Sequence, residues 1–214
     1  MRRVEAVISD FGGVLTSPLA GAFSAFQDQS GVPLAELGTA MAALGAARGA
    51  NPLFELETGR LTEAEFLSEV AGQLSRQLGR EVDLAGFGER YFAALEPNEP
   101  LISYLREVRT RGYKLAICTN NVREWSSRWR AMVPVQELFD VVVDSAFLGS
   151  RKPEPEIYRV TLERLGVGPE SALLIDDIEL NCEAARALGI AAVWFQSTEQ
   201  AIAEVEAALA EDQA

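Results

Sequence analysis

Short apolar runs that stop on polar residues recur along this chain, and they set its reading. Val7-Ile8-Ser9-Asp10 runs into Phe11-Gly12-Gly13, and Leu115-Ala116-Ile117-Cys118 ends on Thr119-Asn120-Asn121. Leu173-Leu174-Ile175 ends on Asp176-Asp177. Continuous Val/Ile/Leu runs of this length are the signature of strands buried on both faces. Strands are predicted at 114–118, 139–143, 172–175 and 191–195, in one sheet with the opening run. Between them lie helical stretches, with Asn98-Glu99-Pro100 as a start and Gly112, Gly166 and Gly189 as stops. Ser197-Thr198-Glu199-Gln200 has capping-box spacing ahead of a last helix, beyond which the acidic C-terminus is expected to fray. Strand and helix alternating in this way predict an α/β protein with a parallel sheet covered by helices.

Residues 16–97 follow another pattern, rich in Ala, Leu and Glu with apolar positions at helical spacing and no strand. Thr62-Glu63-Ala64-Glu65 is a second capping box, followed by Phe66, Leu67, Val70 and Leu74. The expected organisation is a core from 1–15 and 98–214 with a helical insertion at 16–97 roofing the ligand end of the sheet. The Gly- and Ala-rich segment at 38–51 reads as a poorly formed helix pair or a mobile loop.

Composition narrows the chemistry. The 214 residues carry a formal net charge of −13, which repels nucleic-acid backbones and anionic membranes. There is no histidine, so catalysis through a Ser-His-Asp or Cys-His pair and zinc held by imidazole are excluded. Two cysteines, Cys118 and Cys182, do not make a disulfide scaffold. Met1-Arg2-Arg3 resembles the start of a signal peptide, but Asp10 interrupts the apolar run early. No apolar stretch approaches the roughly 20 residues of a membrane span. A cytoplasmic protein, monomer or homodimer, is expected.

The polar strand ends carry the candidate chemistry. Ligand sites of open α/β sheets collect at the carboxyl ends of strands, where Asp10, Thr119 and Asp176-Asp177 all fall. Each alone has an ordinary explanation as a turn residue. Together they converge on one edge, where Asp10 and Asp177 offer hard oxygen ligands to one Mg²⁺. Lys152, fixed by the Pro153 that follows it, offsets the remaining negative charge. The Thr119 hydroxyl and neighbouring backbone amides are placed to hold phosphate oxygens. Trp125 and Trp129, interleaved with Arg123, Arg128 and Arg130, read as packing under the insertion, with Arg123 the best candidate among them for a substrate contact. Tyr158 and Cys118 read as core.

The order of a nucleophilic Asp, a Thr, a Lys-Pro and an Asp-Asp pair closely resembles the haloacid dehalogenase superfamily, whose core is Rossmann-like and which carries a helical cap after the first motif. The resemblance implies phosphoryl transfer through an aspartyl-phosphate on Asp10. It implies Mg²⁺ held by the Asp10 side chain, the Gly12 carbonyl and the Asp177 side chain, with Asp176 holding Lys152 or a metal-bound water from behind. Thr119, Asn120, Arg123 and Lys152 become the groups that contact phosphate or substrate, and the partner is a small phosphorylated metabolite.

One position departs from the pattern. Phosphatases of this superfamily usually carry a second Asp two residues after the nucleophile as general acid and base, and here that residue is Gly12. Such a group contributes about 3 to 5 kcal/mol of barrier lowering. Some sugar-phosphate phosphatases of the superfamily share the Asp-x-Gly opening, so the expected activity is Mg²⁺-dependent hydrolysis of a small phosphomonoester, a sugar phosphate being one candidate. The alternatives are a 2-haloacid dehalogenase, which needs no metal, and a weakly catalytic phosphate-binding regulatory protein.

Overall fold

The structure, a computed structural model, describes residues 4–210, so the Met1-Arg2-Arg3 start and the end of the acidic C-terminus lie outside the described residues. Five strands, β1 Ala6–Ser9, β2 Lys114–Thr119, β3 Val141–Asp144, β4 Ala172–Asp176 and β5 Ala191–Trp194, pair in the order β3-β2-β1-β4-β5, every pair parallel. From β1 the chain builds outward to β2 and β3 on one side and to β4 and β5 on the other. The order therefore reverses between β1 and β4, and a crevice opens there outside the carboxyl ends of the strands. Register aligns those ends, with Ser9 opposite both Ile117 and Ile175, Thr119 opposite Asp144, and Asp176 opposite Trp194.

Alternation along the strands divides the core into two layers. Val7, Leu115, Ile117, Leu173 and Ile175 face helices α6 Glu99–Thr110, α7 Ser126–Met132, α8 Val135–Leu138 and α12 Thr198–Ala210. Ala6, Ile8, Ala116, Cys118 and Leu174 face α10 Pro155–Leu165 and α11 Glu179–Ala187. Tyr158 and Cys118 belong to this second layer, and Trp129 is wholly buried in the first against Phe11, with ring centroids 5.2 Å apart. The expected strand at 139–143 begins two residues later. Phe139 closes the turn of α8 instead, its N–H bonding the Val135 carbonyl at 3.0 Å. The strand then runs on to Asp144, whose carboxylate caps the short helix α9 Ser145–Leu148.

Between β1 and α6 come α1 Leu19–Ser30, α2 Leu34–Arg48, α3 Pro52–Glu57, α4 Glu63–Leu78 and α5 Phe87–Ala93, with no strand among them. An antiparallel bridge of Thr16 and Pro97 closes the base of this insert. The segment expected to be a broken helix pair or a loop is mostly one continuous helix, α2. Gly49, at φ 72°, ends it by returning its N–H to Gly45 at 2.9 Å. Two internal glycines cost about 1 kcal/mol each relative to Ala, but the helix is otherwise alanine-rich and buries Ala40 among Val70 and Leu74 of α4. Packing overrides propensity there. The capping box at Thr62 is formed, Thr62 and Glu65 bonding each other's backbone N–H.

Asn98 joins the insert's base to the core. Its side chain accepts from Leu101 N as the cap of α6 and donates to the Val14 carbonyl at 2.8 Å. Asn98→Ala is expected to lower the unfolding free energy by about 1 to 2 kcal/mol, as a lost cap and an unsatisfied carbonyl require. Urea denaturation monitored by circular dichroism checks this, and an unchanged midpoint would contradict it.

Candidate active site

β1 delivers Asp10 to the crevice, where its backbone N–H still pairs with the Ile175 carbonyl at 2.9 Å as if the strand continued. The chain then turns sharply through Gly12 and Gly13. Gly13 has φ +79°, and a β-carbon there would collide with the Asp177 carboxylate. A side chain at 13 is thus excluded twice, by backbone conformation and by the close approach of Asp177.

Lys152, 1% exposed, is the cation around which the carboxylates gather. Its Nζ lies 2.9 Å from Asp10 Oδ1 and 2.6 Å from Asp176 Oδ2. Burial pulls the lysine pKa down, but Asp10 and Asp176 overcome this and hold it well above its usual value. Asp176 is wholly buried, its other oxygen accepting from Ile178 N and Asn181 Nδ2, each at 2.9 Å. It holds Lys152 from behind. Burial pushes Asp10 up to about 7, against the pull of Lys152, and burial together with Asp176 raises Asp177.

Among the described residues, Asp10, Asp176 and Asp177 each offer a carboxylate oxygen within 4.8 Å of the others. Three carboxylates against one ammonium leave two negative charges at the crevice. An all-oxygen donor set with that residual charge, cradled by a glycine, fits a hard divalent cation such as Mg²⁺.

The other expected residues separate. Thr119 ends β2 beside this cluster and is 1% exposed, one residue back from the cavity wall. The Asn120 side chain is committed to the backbone of Lys152, accepting from its N–H at 2.8 Å and donating to its carbonyl at 2.9 Å. It positions the lysine with one of its two amide hydrogens and its oxygen, and it also lines the cavity. Arg123 is not in the cavity wall at all. Its guanidinium donates to the Ala146 carbonyl at 2.6 Å, lies 4.9 Å over the Phe147 ring and sits against Gly59 of the insert, because the 3-10 turn Arg123–Trp125 aims it at α9. A substrate contact by Arg123 is therefore corrected to a joint between insert and core. Trp125 stacks on Tyr91 at 5.1 Å and meets Phe92 edge-on at 5.3 Å, as expected for packing under the insert.

Two residues that sequence reasoning passed over complete the site. Arg151, next to Lys152, pairs its Nε with Glu57 at the end of α3 at 2.6 Å, and both side chains are largely buried. Ser145 donates to the Glu57 carbonyl at 2.6 Å and accepts from Asn121 N at 3.0 Å, pinning the same turn to the core. Burial raises the Glu57 pKa, opposed by Arg151. The available signal was an acid at the end of the apolar-faced run Pro52-Leu53-Phe54-Glu55-Leu56-Glu57. These groups border a cavity of about 360 Å³ lying over Asp10 and lined from both insert and core.

The family model for haloacid dehalogenase-like hydrolases matches residues 4–189. The chain belongs to that family. Acyl-CoA dehydrogenase family member 10 of Mus musculus is 30% identical over 215 residues, which cover 97% of this chain and 19% of that protein. The phosphoserine phosphatase of Thermus thermophilus is 34% identical over 131 residues, 61% of this chain and 51% of that protein. The chain thus spans less than two thirds of either relative. A solved haloacid dehalogenase family enzyme of Bacteroides thetaiotaomicron, in complex with magnesium and inorganic phosphate, matches with a TM-score of 0.64 at 22% identity. The match covers 89% of this chain and 93% of that one, and it shows a shared fold. No helix among the described residues is long and apolar enough to cross a membrane.

With its pKa near 7 in the absence of metal, Asp10 must lose a proton before it can ligate one. Mg²⁺ affinity is therefore expected to fall about tenfold per pH unit below pH 7 and to level off above it. Calorimetric titrations across that range check this, and an affinity indifferent to pH would contradict it.

Proposed function

We propose that this hydrolase is a Mg²⁺-dependent phosphatase that cleaves a small phosphomonoester through an aspartyl-phosphate on Asp10, with the helical insert as the cap that selects the substrate. The observation that carries the reading is the cluster of three carboxylates around buried Lys152 beneath the cavity. A dehalogenase attacking carbon needs no metal, and Asp177, which no ion pair among the described residues offsets, would only repel its nucleophile. The magnesium and phosphate bound by the Bacteroides enzyme and the phosphatase name of the Thermus relative support the same choice.

Asp10 attacks phosphorus, forming an acyl phosphate as the ester bond breaks; water then attacks phosphorus, releasing phosphate and restoring the carboxylate. The Asp10 side chain, the Gly12 carbonyl and the Asp177 side chain would hold Mg²⁺, which would supply positive charge against the phosphoryl oxygens. Lys152 offsets the repulsion between Asp10 and Asp176, and Thr119 orients a phosphoryl oxygen.

The usual proton donor is missing, since that position is Gly12, where an added β-carbon would stand in ordinary contact with Leu19 at 3.4 Å. Among the described residues, four carboxylates line the cavity, Asp10, Glu57, Glu63 and Asp177. Two of them belong to the metal cluster. Of the remaining two, Glu57 is buried, with a raised pKa and a pairing to Arg151 through only one of its oxygens. Glu57, whose carboxylate rests against Arg151 between turnovers, takes up a proton from solvent, gives it to the leaving oxygen as the ester bond breaks and takes another from the attacking water.

Phosphate release from a panel of phosphomonoesters and acyl phosphates is expected with Mg²⁺ and lost in chelator, and Asp10→Asn is expected to abolish it while circular dichroism stays native. Halide release from 2-haloacids that survives chelation would establish the dehalogenase instead. Glu57→Gln is expected to slow alkyl phosphate hydrolysis by about 10² or more while acyl phosphates, whose leaving group needs no proton, slow far less. Equal losses on both substrate types would remove Glu57 from this role.

A further inference from the structure

The cavity over Asp10 takes most of its polar lining from the core, with Asp10, Lys152, Asp177 and the amides of Asn120, Asn121 and Asn181, whereas the insert adds mostly apolar side chains such as Leu37, Met41, Leu53, Phe66, Leu67 and Phe87. Among the described residues, the polar side chains that the insert adds are few: Glu57, held by Arg151, Glu63, and Tyr91, whose ring is stacked on Trp125. We infer, resting on the phosphatase reading above, that the group esterified to phosphate is uncharged and apolar, a short branched alkyl chain or a single aromatic ring. Sugar hydroxyls placed against Leu, Met and Phe would give up hydrogen bonds to water and find few in return. A carboxylate-bearing group would meet Glu57 and Glu63, and the one arginine in the cavity wall, Arg151, is already paired.

The volume agrees. About 360 Å³ equals the liquid volume of roughly a dozen waters, enough for a phosphoryl group and a ring but not for a long lipid chain. Exposed Leu53, 38% accessible, stands where the cavity wall reaches the surface.

The test uses the Mg²⁺-loaded protein and two primary alkyl esters, benzyl phosphate and glucose 6-phosphate, whose similar leaving groups make equal demands on proton transfer. The inference expects kcat/KM for benzyl phosphate to exceed that for glucose 6-phosphate at least tenfold. It also expects straight-chain alkylphosphonates to inhibit about fourfold more tightly per added methylene until the cavity is full. Leu53→Asn and Phe66→Asn should each raise the KM for benzyl phosphate more than they lower kcat. Should both variants misfold, the phosphonate series on the unaltered protein decides. Inhibition indifferent to chain length, or a preference for glucose 6-phosphate, would overturn the inference and leave the phosphatase reading standing. Hydrolysis of neither ester, nor of acetyl phosphate, would overturn that reading and this inference with it.

Discussion

A buried ammonium group holds this site together. Lys152 lies within 2.9 Å of Asp10 and 2.6 Å of Asp176, joining the ends of two neighbouring strands that would otherwise repel. Removing one partner from such a buried pair costs about 3 to 5 kcal/mol, because the remaining charge is left without compensation. Much of the nearby structure keeps the lysine in place. Asn120 clamps its backbone with two hydrogen bonds, and Asn181 and Ile178 N fix the far oxygen of Asp176. The compensation is incomplete by two charges. That deficit makes the crevice a place for a divalent cation, and burial, added to by Asp176 and Asp177, leaves Asp10 close to titration in its absence.

The insert meets this cluster along one firm seam. Glu57 with Arg151, the Glu57 carbonyl with Ser145, and Gly59 against Arg123 and Ala146 all lie on the same side of the crevice. The seam places a carboxyl group from the insert in the cavity that Asp10 also lines, while the position two residues after Asp10 is a glycine facing Leu19. Proton transfer and substrate selection thus fall to the same element in our account. Exchanging the insert's lining would change both.

The core was legible because its strands are buried on both faces, so hydrophobic runs and the polar residues that end them survive in the sequence as plain signals. Asp10, Lys152, Asp176 and Asp177 fall together in the structure for that reason. Arg123 was not legible, since the direction of a long side chain depends on the 3-10 turn beneath it and on the carbonyl of Ala146 that receives it. That Asn120 also clamps Lys152 was not legible, because its partner is a backbone 32 residues away. The continuity of α2 escaped because its glycines argue against a helix, and only the packing of Ala40 on α4 answers them. Glu57 and Arg151 needed the tertiary seam to become a pair, and the apolar character of the cavity needed five helices brought together.

The covalent step is the centre of this account and can be observed directly. Protein with Mg²⁺, mixed with acetyl phosphate under single-turnover conditions and quenched in acid within the lifetime of the intermediate, is digested and weighed by mass spectrometry. The account predicts one phosphoryl group on the peptide that carries Asp10, absent in Asp10→Asn and absent in chelator. Phosphate released at full rate with that peptide unmodified at every quench time would contradict it.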